Sequence, residues 1–218
     1  WNGDDGQDGG NDYYRGACTY IKKLGKPEIP EGGAAYLEFK GVNASAQIYV
    51  NGELVCEHDG GYSAFRCDIT KFLKDENEIK VIADNSVNDK VYPQRADFTF
   101  YGGIYRDVNL ICVHASRFDL DFYGCNPIKI DPAVKNGDGH VTITAYPVGD
   151  GETEIEIFDG DGNKVADLKN GETAVIKQAR LWNGLKDPYL YKAVATLKVN
   201  GEKVDEVSAN FGFRTYAV

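Results

Sequence analysis

The segment Ala46-Gln47-Ile48-Tyr49-Val50-Asn51-Gly52-Glu53-Leu54-Val55 decides the fold class of this chain. Apolar and polar side chains alternate before Asn51-Gly52, which is the pattern of a half-buried β-strand. Asn-Gly supplies the two positive φ angles that a type I′ turn needs, so the segment predicts a β-hairpin. The pattern recurs around Asn200-Gly201, and residues 159–163 predict a third hairpin turn. Because helical periodicity is almost absent, we predict an all-β protein.

Turn residues divide the chain into two parts. Asn126-Pro127, Asp131-Pro132 and Asn136-Gly137 lie close together between two sets of strand-like segments. We therefore predict a jelly-roll-like β-sandwich over residues 1–126, with long strands at 104–113 and 118–122. Residues 127–218 suit an immunoglobulin-like β-sandwich of seven strands. Both parts are long enough to bury a core without metals or disulfides.

Composition excludes several classes of partner. The chain has 218 residues and a net charge of −10, which disfavours binding to nucleic acid and to anionic membranes. No apolar run approaches the roughly 20 residues that span a bilayer. The polar opening after Trp1 does not resemble a signal peptide. Because the sequence contains no methionine, even at position 1, we expect a processed or excised piece of a longer protein.

The cysteines point away from a metal site. There are five of them, widely spaced and without a Cys-x-x-Cys pair: Cys18, Cys56, Cys67, Cys112 and Cys125. This spacing does not match that of structural zinc sites. The first four lie in or beside apolar strand-like segments, so we expect buried free thiols. Reduced thiols favour a cytoplasmic location, whereas a Cys56–Cys67 disulfide would argue for export.

The segment Asp97-Phe98-Thr99-Phe100-Tyr101-Gly102-Gly103-Ile104-Tyr105-Arg106-Asp107 contains the strongest functional signal. Gly102-Gly103 allows positive φ and close backbone approach, and the surrounding aromatic residues predict a packed bend. Asp97 precedes that bend, and an ionised aspartate can accept hydrogen bonds from ligand hydroxyls. The alternative is that Asp97 only caps the turn. We expect Arg106 to be a buried structural residue with carboxylate partners, and Tyr101 and Tyr105 to be core or interface residues.

This segment resembles the Asp-Phe-x-x-Tyr-Gly-Gly-Ile-x-Arg motif of glycoside hydrolase family 2, the β-galactosidases, β-glucuronidases and their relatives. Further motifs similar to that family follow in order along the chain: Trp1-Asn2 and residues 9–16, 39–46, 50–52, 58–65, 68–70, 181–182, 188–191 and 211–214. The resemblance implies a galactose-binding-type jelly roll, then an immunoglobulin-like domain. In the family a (β/α)₈ barrel with two catalytic glutamates follows, and this chain ends about where the barrel would begin.

The resemblance therefore implies the non-catalytic N-terminal portion of a retaining, β-galactosidase-like enzyme, with no catalytic residue in this chain. Glu78 follows Asn77, as the family's acid/base glutamate follows an asparagine, but its segment alternates like a half-buried strand. We expect Glu78 to be a solvated strand residue. Nor do His58, His114 and His140 suggest a Ser-His-Asp or Cys-His arrangement, and we expect His58 to satisfy a backbone group.

The resemblance also implies which residues contact the sugar. The aspartate that matches Asp97 reaches from the sandwich into the active site and contacts hydroxyls of the terminal sugar. The opening loop approaches the same place, which makes Asn2, Asp4 and Asp8 further candidates. Some β-galactosidases hold a cation beside the sugar, so a cation is expected near this site in the parent enzyme, and no other cofactor is predicted.

Two acidic loops allow a calcium interpretation. The acids of the opening loop could bind calcium, although a solvated loop is favoured. Residues 159–163 resemble part of a calcium loop, but Asn170 stands where the closing glutamate is needed, which favours the hairpin. Among the aromatic residues, Trp182, Tyr189 and Tyr191 are expected in the second-domain core or on a barrel-facing surface rather than in a sugar-stacking platform.

The expected partners are a β-glycoside sugar and the missing catalytic barrel, and the parent could form a homo-oligomer. Two alternatives remain. A stand-alone carbohydrate-binding module would use the same jelly-roll architecture without any barrel. An adhesion or structural protein of tandem sandwiches would bind no sugar, since a fold does not fix a function.

Overall fold

A computed structural model describes residues 14–92 and 100–216 of the chain. Regular structure in these residues consists of eighteen β-strands and one short 3₁₀ helix, Thr70–Phe72. This confirms the all-β prediction. The described residues include no helix that could cross a membrane. The chain divides into two compact units between Val113 and His114.

The first unit is a β-sandwich with two main antiparallel sheets. Their strand orders are β1-β7-β4-β5 and β6-β2-β9, and β3 and β8 form a small additional pair. The strands are β1 (Ala17–Gly25), β2 (Ala34–Phe39), β3 (Val42–Asn43), β4 (Ser45–Val50), β5 (Glu53–Asp59), β6 (Phe65–Asp68), β7 (Glu76–Asp84), β8 (Gly103–Ile104) and β9 (Val108–Val113).

The core of the first unit follows from the alternation in its strands. Every second residue of β4 and β7 is buried, and these side chains pack against the inner face of β2. The hairpin between β4 and β5 is closed by the pair Val50 and Glu53. Asn51 has φ 53° and Gly52 has φ 87°. The Asn-Gly turn is therefore confirmed, with both φ angles positive as a type I′ turn requires.

A disulfide joins the two main sheets of the first unit. Cys56 on β5 is bonded to Cys67 on β6, with the two Cα atoms 6.1 Å apart. These strands are edge strands of different sheets, and folding of the sandwich brings them together. The prediction of free thiols was therefore wrong for these two cysteines. Cys18 is exposed on edge strand β1 rather than buried, and Cys112 is half-buried. A cytoplasmic location stays a prediction.

Loss of the disulfide should destabilise the first unit. A crosslink between residues 11 positions apart removes conformational freedom from the unfolded chain, and is expected to contribute about 2–4 kcal/mol. We expect Cys56→Ser, or reduction by dithiothreitol, to lower the unfolding free energy by that amount. Hydrogen exchange of peptides from β4 to β7 would measure it, with Cys112→Ser as the control. Equal exchange before and after reduction would contradict the expectation.

The second unit is also a β-sandwich. Its main sheets have the strand orders β11-β12-β16 and β15-β14-β17-β18, and β10 pairs with β13. The strands are β10 (Arg117–Phe118), β11 (Ile128–Lys135), β12 (Asp138–Ala145), β13 (Pro147–Val148), β14 (Glu152–Phe158), β15 (Lys164–Lys169), β16 (Thr173–Ile176), β17 (Tyr191–Val199) and β18 (Glu202–Phe211). The seven strands of the main sheets have the antiparallel arrangement of an immunoglobulin-like domain.

The turn residues near the predicted border have specific places in this unit. Pro132 lies within β11, which is an edge strand where a missing N–H is tolerated. Asn136 and Gly137, with φ 52° and 84°, form the turn from β11 to β12. The long strand predicted at 118–122 was wrong, since β10 ends at Phe118 and the Asp119 carboxylate accepts the Asp121 N–H in a turn. The border at residues 126 and 127 stays a prediction.

Candidate functional site

The four predicted sugar-contacting residues lie outside the described residues. Asn2, Asp4 and Asp8 belong to residues 1–13, and Asp97 belongs to residues 93–99. The described residues that directly follow these two segments are Tyr14 and Phe100. The base of the candidate site lies in the first unit, where Asn85 bonds the carbonyls of both residues.

Asn85 holds the two ends together. This residue follows β7 and is 3% exposed. Its Oδ1 accepts the Gly16 N–H at 2.8 Å, and its Nδ2 donates to the Phe100 carbonyl at 2.9 Å and to the Tyr14 carbonyl at 3.3 Å. The Asn85 backbone carbonyl also accepts from Arg15 Nε at 3.1 Å. One buried amide thus connects chain segments that are 71 and 15 residues away from it.

The strand pattern explains why Asn85 points inward. The buried positions of β7 begin at Asn77 and continue at every second residue, and Asn85 continues this phase one residue beyond Asp84. Strand β1 pairs with β7 so that Ala17 lies opposite Asp84, which places Gly16 beside Asn85. Asn85 was not among the residues predicted from the sequence, although a polar residue in the buried phase of an alternating strand is a recognisable signal.

A second asparagine holds the residue after Phe100. Asn43 Nδ2 donates to the Tyr101 carbonyl at 2.6 Å, and Asn43 pairs with Gly103 between β3 and β8. A Cβ at Gly61 would lie 2.2 Å from Asn43 Oδ1, so only glycine leaves room for this side chain. Asn43 was also missed in the sequence.

The glycine pair serves two different needs. A Cβ at Gly102 would lie 2.7 Å from Cγ of Asn85, so this glycine permits the close approach of the backbone. Gly103 has φ 95°, and a Cβ there would meet Tyr20 Oη at 2.4 Å. The prediction of close approach and positive φ at this pair is therefore confirmed.

The residues after the glycine pair brace the neighbouring loops. Tyr105 Oη donates to the Gly61 carbonyl, and Arg106 Nη1 donates to the carbonyls of Lys40 at 3.3 Å and Tyr62 at 3.1 Å. Arg106 is exposed and bonds carbonyls, so the expectation of a buried arginine with carboxylate partners was wrong, because the bend turns it towards backbone. Tyr101 and Tyr105 are 44% and 47% exposed in the described chain rather than core residues.

A small cavity lies at this base. Its lining residues are Arg15, Asn43, Ala44, Tyr62, Asn85, Val91, Tyr92 and Phe100. The lining residues that the structure describes carry amide, phenol and guanidinium groups, and none of them carries a carboxylate. These groups can orient a polar ligand or a neighbouring loop, but they provide no acid/base pair of carboxyl groups.

The contacts of His58 are those of a residue that stabilises the fold. Its ring stacks on Phe65 with centroids 4.1 Å apart, and its Nε2 lies 3.1 Å from the Gly60 carbonyl oxygen and 3.2 Å from Ser63 Oγ. Burial lowers the pKa of His58, although the Gly60 carbonyl and the charge of Asp59 oppose the shift. Burial thus favours the neutral imidazole, and the contact with the Gly60 carbonyl confirms the expectation that His58 satisfies a backbone group.

The described residues suggest no metal centre. Within 14–92 and 100–216, no group of three or more His, Cys, Asp or Glu side chains is placed to hold a metal ion. The Asp159 carboxylate accepts the backbone N–H groups of Asp161 and Asn163 at 2.9 and 2.8 Å. It closes the turn between β14 and β15, which confirms the hairpin.

The other residues considered from the sequence have structural places. Tyr191 is buried in the core of the second unit, and Tyr189 packs edge-on against it. Cζ of Arg214 lies 5.4 Å from the ring centroid of the half-buried Trp182. Glu78 is exposed on β7, as expected.

Comparison with known proteins shows where this architecture occurs. The model of the glycosyl hydrolases family 2 sugar binding domain matches residues 13–113, and the model described as glycosyl hydrolases family 2 matches residues 127–214. A β-glucuronidase of Bacteroides fragilis is 33% identical over 99% of this chain and 34% of its own. A β-galactosidase of Thermoanaerobacter pseudethanolicus is 30% identical over 93% of this chain and 29% of its own.

A solved structure agrees with these matches. The FMN-binding β-glucuronidase from Facaelibacterium prausnitzii L2-6 superposes with a TM-score of 0.89 and 36% identity, over 95% of this chain and 34% of that one. The chain thus spans about a third of the length of these relatives. Sequence, strand arrangement and domain order agree. The chain belongs to glycosyl hydrolase family 2 and comprises its N-terminal sugar-binding and immunoglobulin-like domains.

Proposed function

We propose that this chain is the non-catalytic N-terminal portion of a retaining β-glycosidase that removes terminal sugars. In that enzyme it shapes the sugar pocket and supports a catalytic barrel. The observation that carries the proposal is the ordered match of two family 2 models to a chain that covers 34% of its B. fragilis relative.

The chemistry of the described residues agrees with a supporting role. Retaining hydrolysis needs two carboxyl groups roughly 5–5.5 Å apart on either side of the scissile bond. Among the described residues that line the cavity at the base of the candidate site, none carries a carboxylate. In the proposed enzyme, the barrel supplies the general acid/base and the nucleophile.

Within this proposal, Asp97 is the principal sugar contact of the chain. It belongs to the segment that continues into Phe100, and Asn2, Asp4 and Asp8 belong to the segment that continues into Tyr14. Asn85 joins Phe100 and Tyr14 through one buried side chain. The two candidate segments therefore adjoin one place in the first unit. A cation beside the sugar in the full-length enzyme is part of the same proposal.

The relatives include enzymes that act on two kinds of sugar. The sequence resemblance leans towards the β-galactosidases, whereas the B. fragilis relative and the F. prausnitzii structure are β-glucuronidases. Both kinds of β-glycoside should therefore be tested.

The test compares the full-length protein that contains this chain with the chain alone, on p-nitrophenyl β-glucuronide and β-galactoside. We expect the full-length protein to hydrolyse at least one of them and the chain alone to show no rate above background, because the catalytic carboxyl groups are outside it. Omission of the protein and denatured protein are the controls.

Two results would overturn the proposal. Hydrolysis by the chain alone would place the catalytic groups within it. An inactive full-length protein, with titration calorimetry showing sugar binding by the chain, would favour the carbohydrate-binding module.

A further inference from the structure

We infer that Asn85 is a positioning residue for the proposed sugar pocket: its buried amide fixes Tyr14 and Phe100 relative to each other. The inference rests on the proposed function, since these residues lead into the segments that carry Asn2, Asp4, Asp8 and Asp97. Asn85 would act through the backbone and not by contact with the sugar.

The three hydrogen bonds of the Asn85 side-chain amide go to the residues at the ends of the two candidate segments. The Oδ1 atom accepts the Gly16 N–H, and the Nδ2 atom donates to the carbonyls of Tyr14 and Phe100. An amide can do this because it carries both an acceptor and two donors on one planar group. The glycine at 102 provides the space, since a Cβ would lie 2.7 to 2.9 Å from three atoms of this side chain.

The same strand contains a matched comparison. Asn77 is also 3% exposed, and its side chain also makes three hydrogen bonds, accepting from Asn51 Nδ2 and Lys74 N and donating to the Lys74 carbonyl. The two asparagines are eight positions apart along the extended chain, which corresponds to about 26 Å. Asn77 closes a turn at the far end of the sandwich, whereas Asn85 joins the ends of the two candidate segments.

The different places of Asn77 and Asn85 allow an effect on the position of the candidate segments to be distinguished from an effect on stability. Loss of either amide leaves buried polar groups without their partner, so both losses should destabilise the first unit to a similar extent. Only loss of the Asn85 amide should displace residues that adjoin the sugar-contacting segments. A displacement of about 1 Å far from the chemistry can lower a rate by a factor of the order of 100.

The experiment uses Asn85→Ala, Asn85→Asp and Asn77→Ala in the full-length protein. Melting temperature, kcat and KM are measured with the glycoside that the unmodified enzyme cleaves, and hydrogen exchange is followed in peptides covering residues 14–16 and 100–103. We expect similar decreases in melting temperature for both alanine variants. For Asn85→Ala alone we expect kcat/KM to fall about 10- to 100-fold, with a higher KM, and exchange in both peptides to accelerate.

Asn85→Asp tests the donor function of the amide. It retains an acceptor for the Gly16 N–H but directs a carboxylate at two carbonyl oxygens, so kcat/KM should fall as far as in the alanine variant. Equal kcat/KM in Asn85→Ala and Asn77→Ala, or unchanged exchange in the two peptides, would overturn the inference. An unmodified enzyme that cleaves neither glycoside would instead overturn the proposed function.

Discussion

Replacement of Asp97 by alanine is expected to lower kcat/KM of the full-length enzyme by about 100-fold or more. A hydrogen bond to a charged group contributes about 1.5–3 kcal/mol, and each 1.36 kcal/mol corresponds to a tenfold change in rate. A carboxylate that orients two sugar hydroxyls would therefore account for a loss of this size. The measurement is steady-state hydrolysis of the glycoside that the unmodified enzyme cleaves.

Two variants make the Asp97 result specific. Asp97→Asn retains the shape but loses the charge, and should retain part of the activity. Asp107→Ala removes another acid from the same segment, whose side chain is 77% exposed and 3.5 Å from Lys40 Nζ. It should change kcat/KM less than twofold. Equal rates for Asp97→Ala and the unmodified enzyme would show that Asp97 only caps its turn.

Local rules were sufficient to predict the fold class. The turn at Asn51-Gly52 needs only two positive φ angles and an alternating strand before it, and both are properties of neighbouring residues. The same holds for Asn200-Gly201, which has φ 52° and 84° and joins β17 to β18. The glycine pair at 102 and 103 was interpreted correctly because its aromatic neighbours indicated a packed bend.

Long-range packing explains what the sequence did not reveal. Cys56 and Cys67 are adjacent because two sheets meet at one edge, and strand alternation does not give that pairing. Asn85 bonds residues 69 to 71 positions earlier in the chain, so its function depends on the pairing of β1 with β7. The contacts of Asn85 thus depend on the order of strands in the sheet, which the sequence does not show directly. The glycine-pair motif, in contrast, can be recognised from neighbouring residues alone.

A largely buried ion pair on the β6-β2-β9 sheet should have the largest effect on the stability of the first unit. Glu38 on β2 lies opposite Arg66 on β6 and opposite Asn109 on β9, so the three form a row across the sheet. Arg66 donates to Glu38 Oε1 from Nε at 2.9 Å and from Nη2 at 2.8 Å. Asn109 Nδ2 donates to Oε2 at 2.9 Å. The charged side chains are only 12% and 10% exposed.

We expect Arg66→Met to lower the free energy of unfolding of the first unit by about 3–5 kcal/mol, because the Glu38 carboxylate stays buried without its counter-ion. The double variant with Glu38→Met should recover much of this loss, since it removes both charges. Lys90→Ala is the control, as Lys90 and Asp59 form an exposed pair whose loss should change the stability little. Urea unfolding followed by hydrogen exchange in β2 and β6 would measure all three.

The pH dependence of the unfolding free energy shows whether Arg66→Met destabilises the first unit through the buried Glu38 charge or through lost packing. Burial raises the pKa of Glu38, but the hydrogen bonds from Asn109 and Arg66 and the charge of Arg66 outweigh it, so the pKa lies below its ordinary value of 4.5. A lowered carboxyl pKa stabilises the fold above the unfolded value, and that contribution is lost as pH falls through the folded pKa. In Arg66→Met the carboxyl group loses the cation, so its pKa should rise and protonation should relieve the penalty. The difference in unfolding free energy between the unmodified protein and Arg66→Met should therefore become smaller as pH falls from 7 towards 4. A difference that stays constant over this range would mean that the loss comes from packing and not from the buried charge.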